Sequence, residues 1–343
     1  MDRLLTNLDW LRAPLVTSAR IPTAVAFSLK GGVGRSTAVA ALGWHLARLG
    51  KKVLAVDLDL EAPGLAQRLL DELPDYRLID WLVEALVDQA GSLELPDIVS
   101  GSPVARNTPG VVQVMPAFGE KTREYVAKLG RVFLPGMTLD GEEVGFAARL
   151  KLLLDSIGEQ AEAPDVVLLD ARAGMHDIGA AAVTQLGGEV FLFARDEDQS
   201  WRAYQLLFEH LARSKGVAFG MPGEDLRWCL QMVAAQVEKT EEAINRWVEK
   251  SYETWAALYD DESEGSKGGT AAQTFARDDP EAPHYPLTIF FDGGLRGASF
   301  VVAKRCPPWP VIAAAFDPFL AGATARLFAE RDGESPLSRE KTP

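Results

Sequence analysis

Ser28-Leu29-Lys30-Gly31-Gly32-Val33-Gly34-Arg35-Ser36-Thr37 is the stretch whose residue types and spacing speak most directly of chemistry. Its glycines permit a tight turn with backbone N–H groups facing inward. Hydroxyls follow at Ser36 and Thr37, and two cations, Lys30 and Arg35, stand on either side of the glycines. At the start of a helix such a turn cradles phosphate: amides and the helix dipole offset the negative charge, and the Ser36 hydroxyl can ligate Mg²⁺. Three carboxylates stand further along. Asp57 and Asp59 lie in Val56-Asp57-Leu58-Asp59, and Asp170 ends Val166-Val167-Leu168-Leu169-Asp170. Beside bound phosphate, such acids hold a metal or orient water. An acid pair after a strand also caps a following helix, so the pair alone leaves both roles open.

The elements that must position these groups can be read from apolar pattern. Thr23 to Phe27 is a buried strand, and Ala38 to Gly50 a helix with glycine just past its end. Lys52 to Asp57 and Pro164 to Asp170 are continuously apolar strands that each deliver a carboxylate to the C-terminal edge of a sheet. Open α/β sheets bind their ligands at that edge. Val111 to Met115, Glu189 to Ala194, Trp228 to Val233, Pro286 to Phe291 and Val311 to Ala314 read as further strands. Helical stretches are expected over 65–90, 121–132, 144–160, to about Ser214, 237–259 and 319–329, with a loop between Gly91 and Pro109. The resulting fold class is α/β, a doubly wound, mostly parallel sheet flanked by helices.

Together the loop, the Asp-x-Asp and the later Asp170-x-x-x-Gly174 resemble the deviant Walker A, switch I and switch II/Walker B of ParA/MinD-like P-loop ATPases. The loop is a KGGVGR variant, with Arg35 where the Walker A Lys stands. The resemblance implies ATP and Mg²⁺ as cofactors, nucleotide binding by Lys30 through Thr37, and metal at Ser36, Asp57, Asp59 and Asp170, the acids acting directly or through water. It implies that Lys30 reaches across a nucleotide-sandwich homodimer, that Arg35 lies on the β- and γ-phosphates, and that Asp59 positions the attacking water. Arg172 and Ala173 stand where the family commonly has prolines. Arg172 is equally compatible with compensating for Arg35, sensing, or lying at the surface. The Asn that usually serves the adenine pocket has no clear counterpart in Ala234-Ala235-Gln236.

Along the chain this gives an N-terminal helical extension over 1–22 and a P-loop NTPase core over 23–236. A helical insertion with an acidic mobile loop spans 237–285. Residues 286–330 complete the domain, and 331–343 form a disordered tail. The stripe Ile244, Trp247, Val248, Trp255 and Leu258 is either core or an exposed partner site. The Leu4, Leu5, Leu8 and Leu11 stretch either packs on the domain or docks a partner.

Net charge is −14, so direct DNA binding is disfavoured and protein partners are expected. No apolar run is long enough to span a membrane. The C-terminal tail lacks the basic amphipathic face with which MinD-like proteins bind one. Two distant cysteines, Cys229 and Cys306, fit a cytoplasmic protein without a disulfide framework. They also tell against the iron–sulfur carriers and arsenite pumps of the same superfamily, which need clustered thiolates. The absence of tyrosine after residue 286 tells against its autokinases. The sequence therefore predicts a slowly hydrolysing Mg²⁺-dependent ATP switch. The alternative is a pseudo-ATPase, a nucleotide-binding scaffold or sensor partnering an effector protein, as in a bacterial defence system.

Overall fold

A computed structural model describes residues 8–12, 14, 19–87, 95–120, 122–137, 143–213, 226–259, 274–295, 297–301 and 306–329. Its elements run β1 (Thr23–Ser28), α1 (Arg35–Arg48), β2 (Lys52–Asp57), α2 (Ala66–Leu69), α3 (Leu78–Glu84), α4 (Leu95–Ile98), β3 (Ser100–Gly101) and β4 (Val111–Met115). Then come α5 (Tyr125–Arg131), β5 (Gly136–Met137), β6 (Glu143–Val144), α6 (Phe146–Gly158), β7 (Val166–Asp170), α7 (Asp177–Thr184), β8 (Glu189–Ala194) and α8 (Asp198–Ala212). The chain closes with β9 (Leu230–Val237), α9 (Glu241–Trp255), β10 (Leu287–Phe290) and α10 (Trp309–Leu327).

Eight strands form one sheet in the order β10-β9-β8-β1-β7-β2-β4-β3, parallel throughout except for the short edge strand β3. Being covered on both faces, its central strands read as unbroken apolar runs. Alternate residues of β1 face opposite layers. Val25 and Phe27 join α3, α6, α7, α8 and α9, while Ala24 and Ala26 join α1 and α10. β1, β2 and β7 are neighbours, so Ser28, Asp57 and Asp170 reach the same sheet edge. Asp57 and Asp170 lie in direct register.

Several expectations change. Residues 65–90 are not one helix: α2 lasts a single turn, and α3 begins only at Leu78, after an irregular passage containing Pro74. The expected loop before Pro109 contains α4 and β3. Val311 to Ala314 is no strand but the first part of α10, which starts ten residues before the expected terminal helix and runs through Pro318. A short apolar run cannot by itself distinguish a buried strand from a buried helix. Pro310 at the first turn and the alanines decide for helix here. Trp247, Trp255 and Leu258 of the aromatic stripe are fully buried, so the stripe is core and not an exposed partner site. Near the N-terminus, Trp10 packs against Phe27 while Leu11 is exposed. Leu4 and Leu5 of that stretch, most of the acidic loop and the tail from residue 330 lie outside the described residues.

Candidate functional site

The site grows from the end of β1. Gly32 and Gly34 take φ values of 76° and 95°, a region costly for residues with a Cβ, so the turn is specified by glycine at both positions. Gly34 then caps α1 with its carbonyl, which accepts from Ala38 N at 2.9 Å. Residues Gly32 to Thr37 line a cavity of about 170 Å³ at the N-terminus of this fourteen-residue helix. Amides at a helix N-terminus are the free donors of a helix and favour anions.

The two loop cations behave differently. The Lys30 ammonium pairs with the Glu197 carboxylate at the start of α8, in a half-exposed position. Arg35 turns inward: its guanidinium is 9% exposed, Nη1 donates to Ser28 Oγ, and Nε lies 3.9 Å from Asp170 Oδ1. Ser28 in turn donates to the Lys30 carbonyl at 2.7 Å, so one buried hydroxyl ties both cations' backbone and side chain to the strand end.

The acids also divide. Asp57 is fully buried and holds its own loop: Oδ1 accepts from Asp59 N, and Oδ2 from Gly64 N and Leu65 N, all at 3.0–3.1 Å. Burial, and next the Asp170 charge, push its carboxyl far above the usual carboxylate range. Asp59 is partly exposed and accepts from Ala62 N at 3.1 Å. Asp170 is 1% exposed and its Oδ1 has no hydrogen-bond partner. Burial raises its pKa, and the Arg35 guanidinium and nearby Ser36 hydroxyl draw it back down. Gly174, at φ 96°, donates its N–H to the Ser28 carbonyl and so ties the loop after β7 to the cradle. Arg172 pairs with Glu61, joining the loops after β7 and β2.

A divalent cation fits this donor set. Among the described residues no cluster of three or more His, Cys, Asp or Glu could cage a metal. Mg²⁺, however, commonly takes one or two protein oxygens and completes its shell with phosphate and water. Ser36 and the unpartnered oxygen of Asp170 supply that minimum. The surrounding charge points the same way. Burial, followed by the charges of Asp57, Asp59 and Glu61, pushes the Tyr125 hydroxyl up to about 12, while that hydroxyl donates to the Leu60 carbonyl. Phosphate entering so acidic a neighbourhood needs a cation between.

The structure thus places Lys30, Gly31, Gly32, Val33, Gly34, Arg35, Ser36, Thr37, Asp57, Asp59, Asp170, Arg172 and Gly174 at one sheet edge. Four further residues join them without a signal in the sequence. Glu197 holds Lys30. Glu61 holds Arg172. Gln236, itself at φ 59°, donates to the Gly32 carbonyl at 3.2 Å. Arg68 lines the cavity together with the glycines.

Residues 24–258 match the family described as CobQ/CobB/MinD/ParA nucleotide binding domain. Over 87 residues the chain is 42% identical to the septum site-determining protein MinD of Synechocystis, a match covering 24% of this chain and 32% of that protein. It therefore spans about a third of that relative's length. An ATP complex of an McdA variant from Cyanothece is similar in fold, with a TM-score of 0.51 at 16% identity over 90% of this chain and 97% of that one. So is a ParA family ATPase from Chlorobium tepidum, with a TM-score of 0.51 at 15% identity over 89% and 99%.

Proposed function

The chain belongs to the CobQ/CobB/MinD/ParA nucleotide binding domain family, and from that premise we propose that it is a cytoplasmic, Mg²⁺-dependent ATP switch that hydrolyses slowly, pairs as a nucleotide-sandwich dimer and acts on protein partners. One observation carries the reading: a glycine-walled cavity at a helix N-terminus, with Ser36 and Arg35 lining it and a bare buried oxygen of Asp170 beside them.

In this mechanism the amides from Gly32 to Thr37 bind the phosphates and hold them in one orientation. Ser36 and Asp170 would hold Mg²⁺, which would supply positive charge to the phosphate oxygens. Asp57 keeps the loop to Leu65 closed, and Asp59, on that loop, is the group that would orient water. Phosphoryl transfer asks little more of a protein than positioning and pre-placed charge. Lys30 must leave Glu197 to cross to a partner's phosphates. A half-exposed ion pair contributes only about 0–1 kcal/mol, so bound phosphate can outcompete it.

Arg35 favours a second reading. A guanidinium anchored on Ser28 and beside Asp170 braces the loop from behind, whereas a Lys would reach forward as a point charge. On that reading nucleotide binds without useful turnover. Light scattering of the chain with Mg-ATP against Mg-ADP tests the switch: mass should double with ATP alone, and a mass indifferent to nucleotide would remove the dimer step. Phosphate release from Asp59→Ala against the unaltered chain separates the two readings, because a chain without turnover would not register the change.

A further inference from the structure

We propose that Arg68 is a phosphate-contacting residue of this site, supplying from α2 the cation that an ordinary P-loop draws from its own lysine; the inference rests on the nucleotide reading above. The place is set by two facts. Arg35, at the position of that lysine, spends its guanidinium on Ser28 and Asp170. Arg68 lines the same cavity.

The backbone around Arg68 is fixed from outside its own helix. Its carbonyl accepts from Phe300 N at 2.9 Å, the neighbouring Gln67 carbonyl accepts from Ser299 Oγ, and Arg68 Nη1 donates to the Ala298 carbonyl at 2.8 Å. One edge of the guanidinium is thereby held. Nε is buried and has no partner, and no carboxylate of the described residues pairs with the group. Burial works against its charge, and the Asp170 carboxylate reaches far enough to offset part of that. A partly buried cation with no carboxylate partner, beside a cavity lined with amides, has its natural counter-ion in an anion bound there.

The geometry also indicates which phosphate. The loop leading to Arg68 passes the cradle at Gly64, where a Cβ would come within 4.0 Å of Ser36 Oγ. Ser36 is the hydroxyl that would hold Mg²⁺, and the ion would supply its charge to the outer phosphates. Arg68 therefore belongs with the terminal phosphate more than with the inner ones, and a planar fork suits its oxygens.

Calorimetric titration with Mg-ATP and Mg-ADP tests this on the full chain, on Arg68→Gln and on Arg68→Lys. The Gln variant retains a donor for the Ala298 carbonyl and removes the charge. It should bind ATP at least tenfold more weakly and ADP no more than threefold more weakly, with Arg68→Lys falling between. A smaller loss for ATP, or one shared by ADP, overturns the role of Arg68 while leaving the nucleotide site standing. Failure of the unaltered chain to bind either nucleotide overturns the functional reading itself. Thermal melts of the ligand-free variants confirm that each is folded, and Arg68→Lys carries the ATP/ADP comparison by itself if the Gln variant is not.

Discussion

His284 and Asp170 are both buried and ionisable, and the molecule answers them in opposite ways. His284 lies under α9 with both ring nitrogens occupied: Nε2 faces the Arg277 carbonyl at 2.9 Å, and Nδ1 meets the Tyr259 hydroxyl. Its own carbonyl accepts from Ser251, and the rings of Tyr252 and Tyr259 close around it. Asp170 is equally sealed, yet its Oδ1 makes no hydrogen bond and has only the Arg35 guanidinium, 3.9 Å away, as a neighbour of opposite charge. An unmet polar atom in a folded interior costs stability, so it persists where something outside the chain completes it. The two residues separate what the fold needs for itself from what it holds ready for a ligand.

Asp170→Asn presses that contrast hardest. Mg²⁺-stimulated phosphate release should fall about a hundredfold or more, the scale on which one transition-state electrostatic contact matters. The melting temperature should not fall, since a buried charge is removed with its shape kept. A drop of many degrees would instead make Asp170 a structural group like His284.

His284 supplies the next effect, through pH. The carbonyl of Arg277 requires Nε2 to carry the proton, which leaves Nδ1 to accept from Tyr259; a second proton would force the Tyr259 hydroxyl to turn from donor to acceptor. Burial holds the imidazole below its ordinary value, with the Arg277 carbonyl and Asp279 opposing only in part. The folded state thus prefers the neutral ring. Its contribution is complete above about pH 6.5 and is lost as pH falls below that value. Urea titration of the ligand-free chain should show a loss of roughly 1 kcal/mol for each pH unit by which the folded value is lowered. The difference between His284→Asn and the unaltered chain isolates this contribution from those of His45, whose pKa burial also lowers, and of the raised carboxyls of Asp57 and Asp170.

The smallest effect belongs to Glu197→Gln. Hydrogen bonding from Lys30 holds the Glu197 carboxyl below its usual range, yet the pair is half-exposed. Stability should change by less than about 1 kcal/mol. The ATP-dependent doubling of mass should appear at lower protein concentration, because Lys30 begins free.

Much of the nucleotide end was legible because its parts are local. A strand, a glycine turn with a hydroxyl and a helix follow one another within thirty residues, and continuous apolar runs mark where Asp57 and Asp170 must emerge. The partners were not legible, since each contact crosses a long stretch of chain: Glu197 to Lys30, Gln236 to Gly32, Ala298 to Arg68. No periodicity encodes such pairs. Helical propensity misled in the passage after Leu70, where Leu78, Ile79, Trp81 and Leu82 suggested one continuous helix. There Pro74 and the buried Arg77, whose backbone N–H is accepted by Asp80, restart the helix instead. At Val311 the opposite occurred, with tertiary packing of α10 against β10 and α1 settling an ambiguous run.

Arg172, for which the sequence left several roles open, clasps Glu61 and so joins the loop after β7 to the loop after β2. With Leu58 N bonded to the Asp170 carbonyl as well, those loops are linked through side chain and backbone alike. Their relaxation is therefore a shared coordinate: a fluorophore on either loop should report one common rate constant when nucleotide is mixed in, and severing the clasp should split that single exponential into two.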